Sequence, residues 1–153
     1  TGNIKKAGHT RIMGVLNTNE QPDRPGVWLH DHRTLWGIDY APALSGAHLA
    51  MFVTGVGEVF FSNPIMPQCR MTGNPETFKN PRYLLDINAG KVILGQSLED
   101  CGKEIYDYLL RVSSGEETKL DPYKVREFAL VYPGADEGRG HPGMAKPHAD
   151  MKG

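Results

Sequence analysis

The glycine turn after the most strand-like segment of the chain is its clearest candidate for chemistry. Residues 54–58 read TGVGE and directly follow the apolar run at 48–54. Glycines at such a turn let backbone N–H groups approach an anion, and α/β sheets commonly bind ligands outside the carboxyl ends of their strands. The turn lacks the third glycine and following helix of a dinucleotide fingerprint and the lysine of a phosphate loop, which excludes both motifs. Taken alone, the motif favours a purely structural turn over a binding turn.

A second cluster consists of His30, Asp31 and His32, in which the two imidazoles point to one face if the segment is extended. Two histidines and a carboxylate can bind a divalent metal. His9 and His48 are the histidines outside the C-terminal tail that could add a ligand, and both are distant in sequence. A solvated loop is therefore the favoured interpretation of this cluster.

Three further parts of the sequence carry reactive or polar groups, but they give weaker evidence of a functional site. The segment 86–90, DINAG, has side chains that commonly hydrogen-bond their own turn, which favours a structural role. Cys69 has no histidine near it in sequence, so a nucleophilic role has little support. Cys101 falls on the apolar face of a predicted helix and is expected in the core. Two cysteines without a paired framework indicate a reduced, cytoplasmic compartment.

Length and charge limit the class of protein. The 153 residues suit one domain, and 39% hydrophobic and 23% charged residues are typical of a globular chain. Seventeen Lys and Arg against eighteen Asp and Glu give a net charge of -1, so neither nucleic acid nor an acidic membrane surface is an expected partner. The longest apolar run, residues 49–53, is far shorter than the ~20 residues of a membrane span.

Strand-like and helix-like segments alternate along the chain. The predicted strands are residues 11–16, 27–29, 48–54, 83–87 and 126–132, with 91–94 extended and a short helix within 35–47, which Asp39 caps. Pro67 makes 65–72 an edge or bent strand. This alternation predicts an α/β fold with a mainly parallel sheet flanked by helices, a Rossmann-like three-layer sandwich.

The clearest helix is predicted at residues 98–113. Ser97 and Asp100 form a capping-box pattern, and apolar residues follow at helical spacing from Leu98 to Val112. Residues 1–132 are then one α/β domain. Residues 133–153 hold five Gly and three Pro without Leu, Ile, Val, Phe, Tyr or Trp, and they are expected to be a flexible tail unless a partner holds them.

Several segments in order resemble the C-terminal part of the altronate and galactarate dehydratases, a family of sugar-acid hydro-lyases that also contains the large subunit of sulfolactate sulfo-lyase. They are GNI and AG at 2–4 and 7–8, GVL at 14–16, PGVWLHD at 25–31, GAH at 46–48 with FVTGVG at 52–57, MP at 66–67, GNPET at 73–77 and DINAG at 86–90. The resemblance covers about residues 2–131. Val56 stands where most members have Arg, and Phe61 lies where many have Gly.

The resemblance implies a domain or subunit of a lyase that removes water, or sulfite, from a hydroxylated carboxylic acid. Members are much longer, so we expect the catalytic and metal-binding groups in preceding domains or a separate subunit, a divalent Fe, Mn or Mg ion in the intact enzyme, and no activity from the chain alone. This chain shows no complete set of metal ligands. A homo-oligomer is also expected.

Such an elimination requires a base, groups that hold the enolate and an acid for the leaving group. We expect Thr54, Gly55 and Gly57 to supply backbone donors to a substrate oxyanion, with Asp31 and Asn74 bordering the same edge. No residue is assigned as the base. Two alternatives remain open: a non-catalytic assembly module of such an enzyme, and a zinc protein built on His30 and His32.

Overall fold

The computed structural model describes residues 8–17, 20–31, 41–57 and 65–124, and these divide into two units. The first contains the described residues up to Ser45, and the second begins at Gly46. Every strand pairing described in both units is parallel, and helices accompany the strands. The predicted α/β class with parallel strands is thus confirmed. No helix in the described ranges has the length and apolar character needed to cross a bilayer.

The first unit contains strands β1 (Ile12–Asn17) and β2 (Val27–Asp31) and the short helix α1 (Ala41–Leu44). The two strands pair in register from Ile12 opposite Val27 to Asn17 opposite Asp31, with an irregularity after Ile12. Both strands predicted for this region are therefore confirmed. Of the predicted 35–47 helix, only the part from Ala41 onward lies within the described residues.

The second unit is a three-stranded sheet in the order β3-β4-β5, accompanied by two helices. Its strands are β3 (Ala50–Thr54), β4 (Gln68–Thr72) and β5 (Ile87–Asn88), and its helices are α2 (Pro75–Lys79) and α3 (Leu98–Ser113). Short 3-10 turns occupy Pro81–Tyr83, Ala89–Val92 and Asp121–Tyr123.

The prediction that β4 is an edge or bent strand is wrong, because β4 is the central strand of this sheet. Pro67 precedes the strand and so removes no N–H from its ladder, while its carbonyl oxygen accepts a hydrogen bond of 3.0 Å from the backbone N–H of Ala50. Cys69 and Thr72 are fully buried and Arg70 is 1% exposed, as expected for a central strand.

Two other local predictions also need correction. In the predicted strand 83–87 only Ile87 pairs, because the Asn80 side chain accepts from the Arg82 N–H and begins a 3-10 turn. Residues 91–94, predicted as extended, instead continue the turn at Ala89–Val92, since the Leu94 N–H bonds to the Lys91 carbonyl at 3.0 Å. The predicted strand 126–132 and the tail 133–153 lie outside the described residues.

Helix α3 matches its predicted bounds. The Ser97 hydroxyl oxygen accepts from the backbone N–H of Asp100 at 3.0 Å, which satisfies one of the free donors in the first turn. Cys101 and Val112 are buried on its inner side, 4% and 2% exposed. The core position predicted for Cys101 is confirmed.

Asp86, just before β5, connects two other parts of the second unit, strand β4 and the segment after α3. One carboxylate oxygen accepts from the backbone N–H of Arg70 at 2.7 Å, and the other accepts from the backbone N–H of Lys119 at 2.8 Å. Asp86 is structural, as its motif suggested, but it bonds to distant segments rather than to its own turn.

We predict that Asp86→Ala lowers the free energy of unfolding by about 2–3 kcal/mol, because it leaves the backbone N–H groups of Arg70 and Lys119 without their acceptor. Urea denaturation followed by circular dichroism measures the change. Asp107→Ala, on the exposed side of α3, is the control and should change stability by less than about 0.5 kcal/mol. Equal losses in both variants would contradict the role of Asp86.

Candidate functional site

Three polar residues line up at the carboxyl edge of the β3-β4-β5 sheet. Thr54 is the register partner of Thr72, and Thr72 is the register partner of Asn88. Thr54 and Thr72 are buried. The Oδ1 atom of Asn88 is inaccessible to solvent and has no hydrogen-bond partner within the described ranges. Since parallel strands bring their carboxyl ends to one edge, this row marks the position where α/β sheets commonly bind ligands.

The glycine turn lies directly after β3 at this edge. The Thr77 hydroxyl on α2 donates to the Gly55 carbonyl oxygen at 3.1 Å, which fixes the turn against the helix. A Cβ placed on Gly55 would meet no heavy atom within 4 Å, so the space beside Gly55 is open. The Val56 side chain is 77% exposed. The space beside the Gly55 backbone is therefore open to a ligand.

Asn74 lies at the same edge, two residues after β4, and its side chain caps α2. Its Oδ1 accepts from the backbone N–H groups of Glu76 at 2.9 Å and Thr77 at 3.3 Å. Its own N–H donates to the Thr72 hydroxyl at 3.1 Å. Asn74 therefore supports the turn, and its carbonyl oxygen is already engaged by the helix.

Two glycines hold the turns of this edge in close contact. Gly57 has a φ of +78°, and a Cβ there would lie 2.5 Å from Cγ of the Tyr83 ring. A Cβ on Gly90 would lie 2.6 Å from Cδ of Pro75 and 2.8 Å from the Gly73 carbonyl oxygen. At both positions, the Cβ of any other residue would clash with these atoms. Packing against Tyr83 therefore explains why position 57 is a glycine, without any need for a ligand.

The structure brings Thr54, Gly55, Gly57 and Asn74 to this edge of the second unit. Asp31, the fifth predicted site residue, is exposed at the carboxyl end of β2 in the first unit. Thr72 and Asn88 are not among the predicted site residues. Their positions at the ends of neighbouring strands become apparent only when the strands are aligned.

A cleft of about 390 Å³ lies beside Asn88, between β5 and α3. Its lining includes Lys91, whose ammonium group pairs with Glu104 at 2.7 Å, and Tyr108. The hydrogen bond from Lys91 lowers the pKa of the Glu104 carboxyl. Burial and then the neighbouring Asp86 carboxylate raise the pKa of Tyr108, so its hydroxyl stays protonated. Tyr108 is thus a hydrogen-bond donor at neutral pH.

The interpretation of His30 and Asp31 as a solvated loop is wrong, because both residues belong to β2. The His30 Nε2 lies 2.8 Å from the Ser45 hydroxyl oxygen. His32 lies outside the described residues. Within the described ranges, no group of three or more His, Cys, Asp or Glu side chains could hold a metal ion. The described residues therefore do not form the divalent-metal site that the resemblance implies.

Cys69 is fully buried in β4, and burial, followed by the charges of Asp86 and Asp121, raises its pKa to about 12. A thiol in this state is not a nucleophile at neutral pH. The structure therefore agrees with the prediction that Cys69 has no nucleophilic role.

Comparison with known proteins places the chain in a family. The sequence model of the family described as D-galactarate/Altronate dehydratase, C-terminal, matches residues 1–136, and the chain belongs to this family. The chain is 31% identical over 133 residues to the (2R)-sulfolactate sulfo-lyase subunit beta of Chromohalobacter salexigens, a match over 85% of this chain. It is 26% identical over 137 residues to the altronate dehydratase of Escherichia coli, a match over 87% of this chain.

The matched region is a minor part of both relatives. It spans 34% of the sulfo-lyase subunit and 27% of the altronate dehydratase. The family resemblance found from the sequence motifs is confirmed.

We predict that Gly57→Ala destabilises the fold by at least about 1–2 kcal/mol, because alanine is strained at positive φ and its Cβ meets the Tyr83 ring. Gly55→Ala is the matched control, since its Cβ enters open space, and it should change the melting temperature little. Thermal unfolding of both variants measures the difference. Equal stability of the two variants would show that the Tyr83 contact does not constrain the turn.

Proposed function

We propose that the chain is the C-terminal domain or subunit of a lyase that eliminates water or sulfite from a hydroxylated carboxylic acid. In this proposal the sheet edge at Gly55 and Asn88 binds the substrate. The observation that supports it most is the register of Thr54, Thr72 and Asn88 beside an open glycine turn. The names of the two relatives, a sulfo-lyase subunit and a dehydratase, supply the reaction class.

The edge suits a carboxylate or an enolate oxygen. Backbone N–H groups in the turn at residues 55–57 would donate to the oxyanion, and such fixed donors act best where charge develops during proton removal. The Asn88 side chain would provide a second polar contact near a substrate hydroxyl. No described residue at the edge is assigned as the base, so we expect the proton-abstracting group to come from the rest of the enzyme.

The exposed Val56 bears on substrate choice. An arginine at this position, as in most members of the resembled family, would give a carboxylate a bidentate partner that valine cannot offer. Its side chain is 77% exposed, so a longer residue fits there without displacing the core. We therefore expect this chain to bind the substrate carboxylate through its backbone alone or to prefer a different acid.

The divalent ion expected for the intact enzyme would be held mainly by groups outside the described residues. This expectation follows from the lack of a three-residue ligand group within the described ranges. The rest of the enzyme would then supply both the metal ion and the base.

An assembly role without direct substrate contact is the second candidate. The contact between Gly57 and the Tyr83 ring favours it, because this packing explains that glycine without a ligand. Asn74 supports it as well, since its side-chain oxygen is used to cap α2. The open space at Gly55 is the feature that a purely structural turn leaves unexplained.

We predict that the purified chain alone does not dehydrate altronate or galactarate, because the base and the metal ligands lie elsewhere in the enzyme. Loss of substrate with added Fe, Mn or Mg measures this. Turnover by the folded chain would show that the base and the metal ligands do not lie elsewhere in the enzyme.

A second prediction tests whether the edge binds an acid. Titration with galactarate, followed by NMR, should shift the amide signals of Gly55, Val56, Gly57 and Asn88 together and with one dissociation constant. Val56→Arg should bind at least about tenfold more tightly, equivalent to about 1.4 kcal/mol, because the guanidinium pairs with the carboxylate.

The uncharged Val56→Gln serves as the matched control for side-chain length and should bind like the unmodified chain. The Gly55→Ala variant should weaken binding without a change in melting temperature, since its Cβ enters the open space. If none of these amides shifts and Val56→Arg does not bind, the assembly role is the correct one.

A further inference from the structure

The cleft beside Asn88 adjoins the candidate site at the sheet edge. Asn88 ends β5 at that edge and also lines the cleft, whose volume of about 390 Å³ suits a small organic molecule. Phe78 on α2 lines the cleft as well, and its neighbour Thr77 donates to the Gly55 carbonyl oxygen at 3.1 Å. The edge and the cleft therefore share Asn88, and α2 contacts both the glycine turn and the cleft.

The distance from the glycine turn to the cleft matches the length of a six-carbon chain. Thr54 and Asn88 lie in one register row, on strands separated by a single strand, so their backbones are about 10 Å apart. An extended six-carbon chain is about 6 Å long, and a hydrogen bond of about 2.9 Å at each end brings its reach to about 12 Å. One ligand can thus place its carboxylate at the turn and its far end in the cleft.

Arg111 on α3 offers the cleft hydrogen-bond donors that are held in position. Its Nε atom lies 2.7 Å from Oε2 of Glu116, which balances its charge, and its Cζ atom lies 5.4 Å from the centre of the Tyr108 ring. Its two Nη groups have no hydrogen-bond partner in the part of the chain that the structure describes. Donors held in this way lose little freedom when a ligand binds.

The other charges of the cleft suit hydroxyl groups better than a second anion. Glu104 pairs with Lys91 at 2.7 Å and so balances its charge. The carboxylates of Asp86 and Asp107, which also line the cleft, form no ion pair with any described residue. These two negative charges repel an anion. A hydroxyl group both donates and accepts, so it can use Asp107 and Arg111 together.

We propose that this cleft binds the hydroxylated carbon chain of the substrate and selects a sugar acid with one carboxylate over a sugar acid with two. The inference rests on the function proposed above, because it requires the acid to bind through its carboxylate at residues 55–57. Arg111 then donates to hydroxyl oxygens of the chain, and Asp107 accepts from its hydroxyl groups. A second carboxylate at the far end of the ligand would face Asp86 and Asp107 instead.

Two sugar acids that differ only at C6 test this selection. Galactonate ends in a hydroxymethyl group and galactarate ends in a second carboxylate, while the carbons between have the same configuration. In isothermal titration calorimetry of the chain, galactonate should bind at least about fivefold more tightly, equivalent to about 1 kcal/mol. Equal affinities, or tighter binding of galactarate, would overturn the selection.

Asp107→Asn tests whether the cleft is the source of the preference. Asp107 is exposed, so the variant should fold normally, and the amide keeps the size of the side chain without its charge. The preference for galactonate should fall at least about threefold, because galactarate meets one negative charge fewer. Glu99→Gln is the matched control, since it removes a charge from α3 about 12 Å along the helix, and it should leave the preference unchanged. Equal effects of the two variants would show that the net charge of the chain, not the cleft, sets the preference.

NMR distinguishes failure of this inference from failure of the proposed function. Galactonate should shift the amide signals of Gly55 and Gly57 and also those of Asp107, Tyr108 and Arg111. Glycolate, a hydroxy acid without a longer chain, should shift the signals of the turn alone. If galactonate shifts only the turn, the proposed function stands and the cleft does not bind the carbon chain. If galactonate shifts neither region, the proposed function is wrong and this inference fails with it.

Discussion

The second unit depends on the Asp86 carboxylate. Its two oxygens bond to backbone N–H groups separated by 49 positions in sequence, those of Arg70 in the central strand and Lys119 after the last helix. The peptide N–H of Asp86 itself donates to the Arg70 carbonyl oxygen at 2.9 Å, so the backbone and side chain hold the same strand. A carboxylate in this position connects the central strand to the segment that follows α3.

That arrangement explains why such a short strand as β5 can complete the sheet. Only Ile87 and Asn88 pair with β4, and two residues form too few ladder hydrogen bonds to fix the position of a strand by themselves. The bonds of Asp86 immediately before it fix the register at Met71 opposite Ile87. Asn88 consequently arrives beside Thr72 at the edge, and the candidate site depends on a residue outside it.

The features that the sequence predicted well are those with strong local signals. Helix α3 could be placed because Ser97 caps it and its apolar residues recur at helical spacing, and β3 could be placed from its apolar run before a glycine turn. The central position of β4 could not be predicted, because a proline within a strand indicates an edge strand. Only the structure shows that Pro67 lies just before β4, outside its hydrogen-bond ladder. The same applies to Asp86, whose partners are 16 and 33 residues away. Of the site, the turn at Gly55 and Gly57 was evident from glycine spacing, whereas Asn88 required knowledge of which strands are neighbours.

The close packing of Gly90 on Pro75 bears on how this edge would discriminate among ligands. A Cβ on Gly90 would lie 2.7 Å from the Pro75 nitrogen, so the turns after β4 and β5 are pressed together at backbone level. Such close packing leaves little room for these two turns to move apart or together when a ligand binds. Under the proposed function, its turn at residues 55–57 would bind the carboxylate that all sugar acids share. Diversification of substrates within such a family would then act through exposed positions such as Val56 and through the other domains, while the edge itself stayed constant.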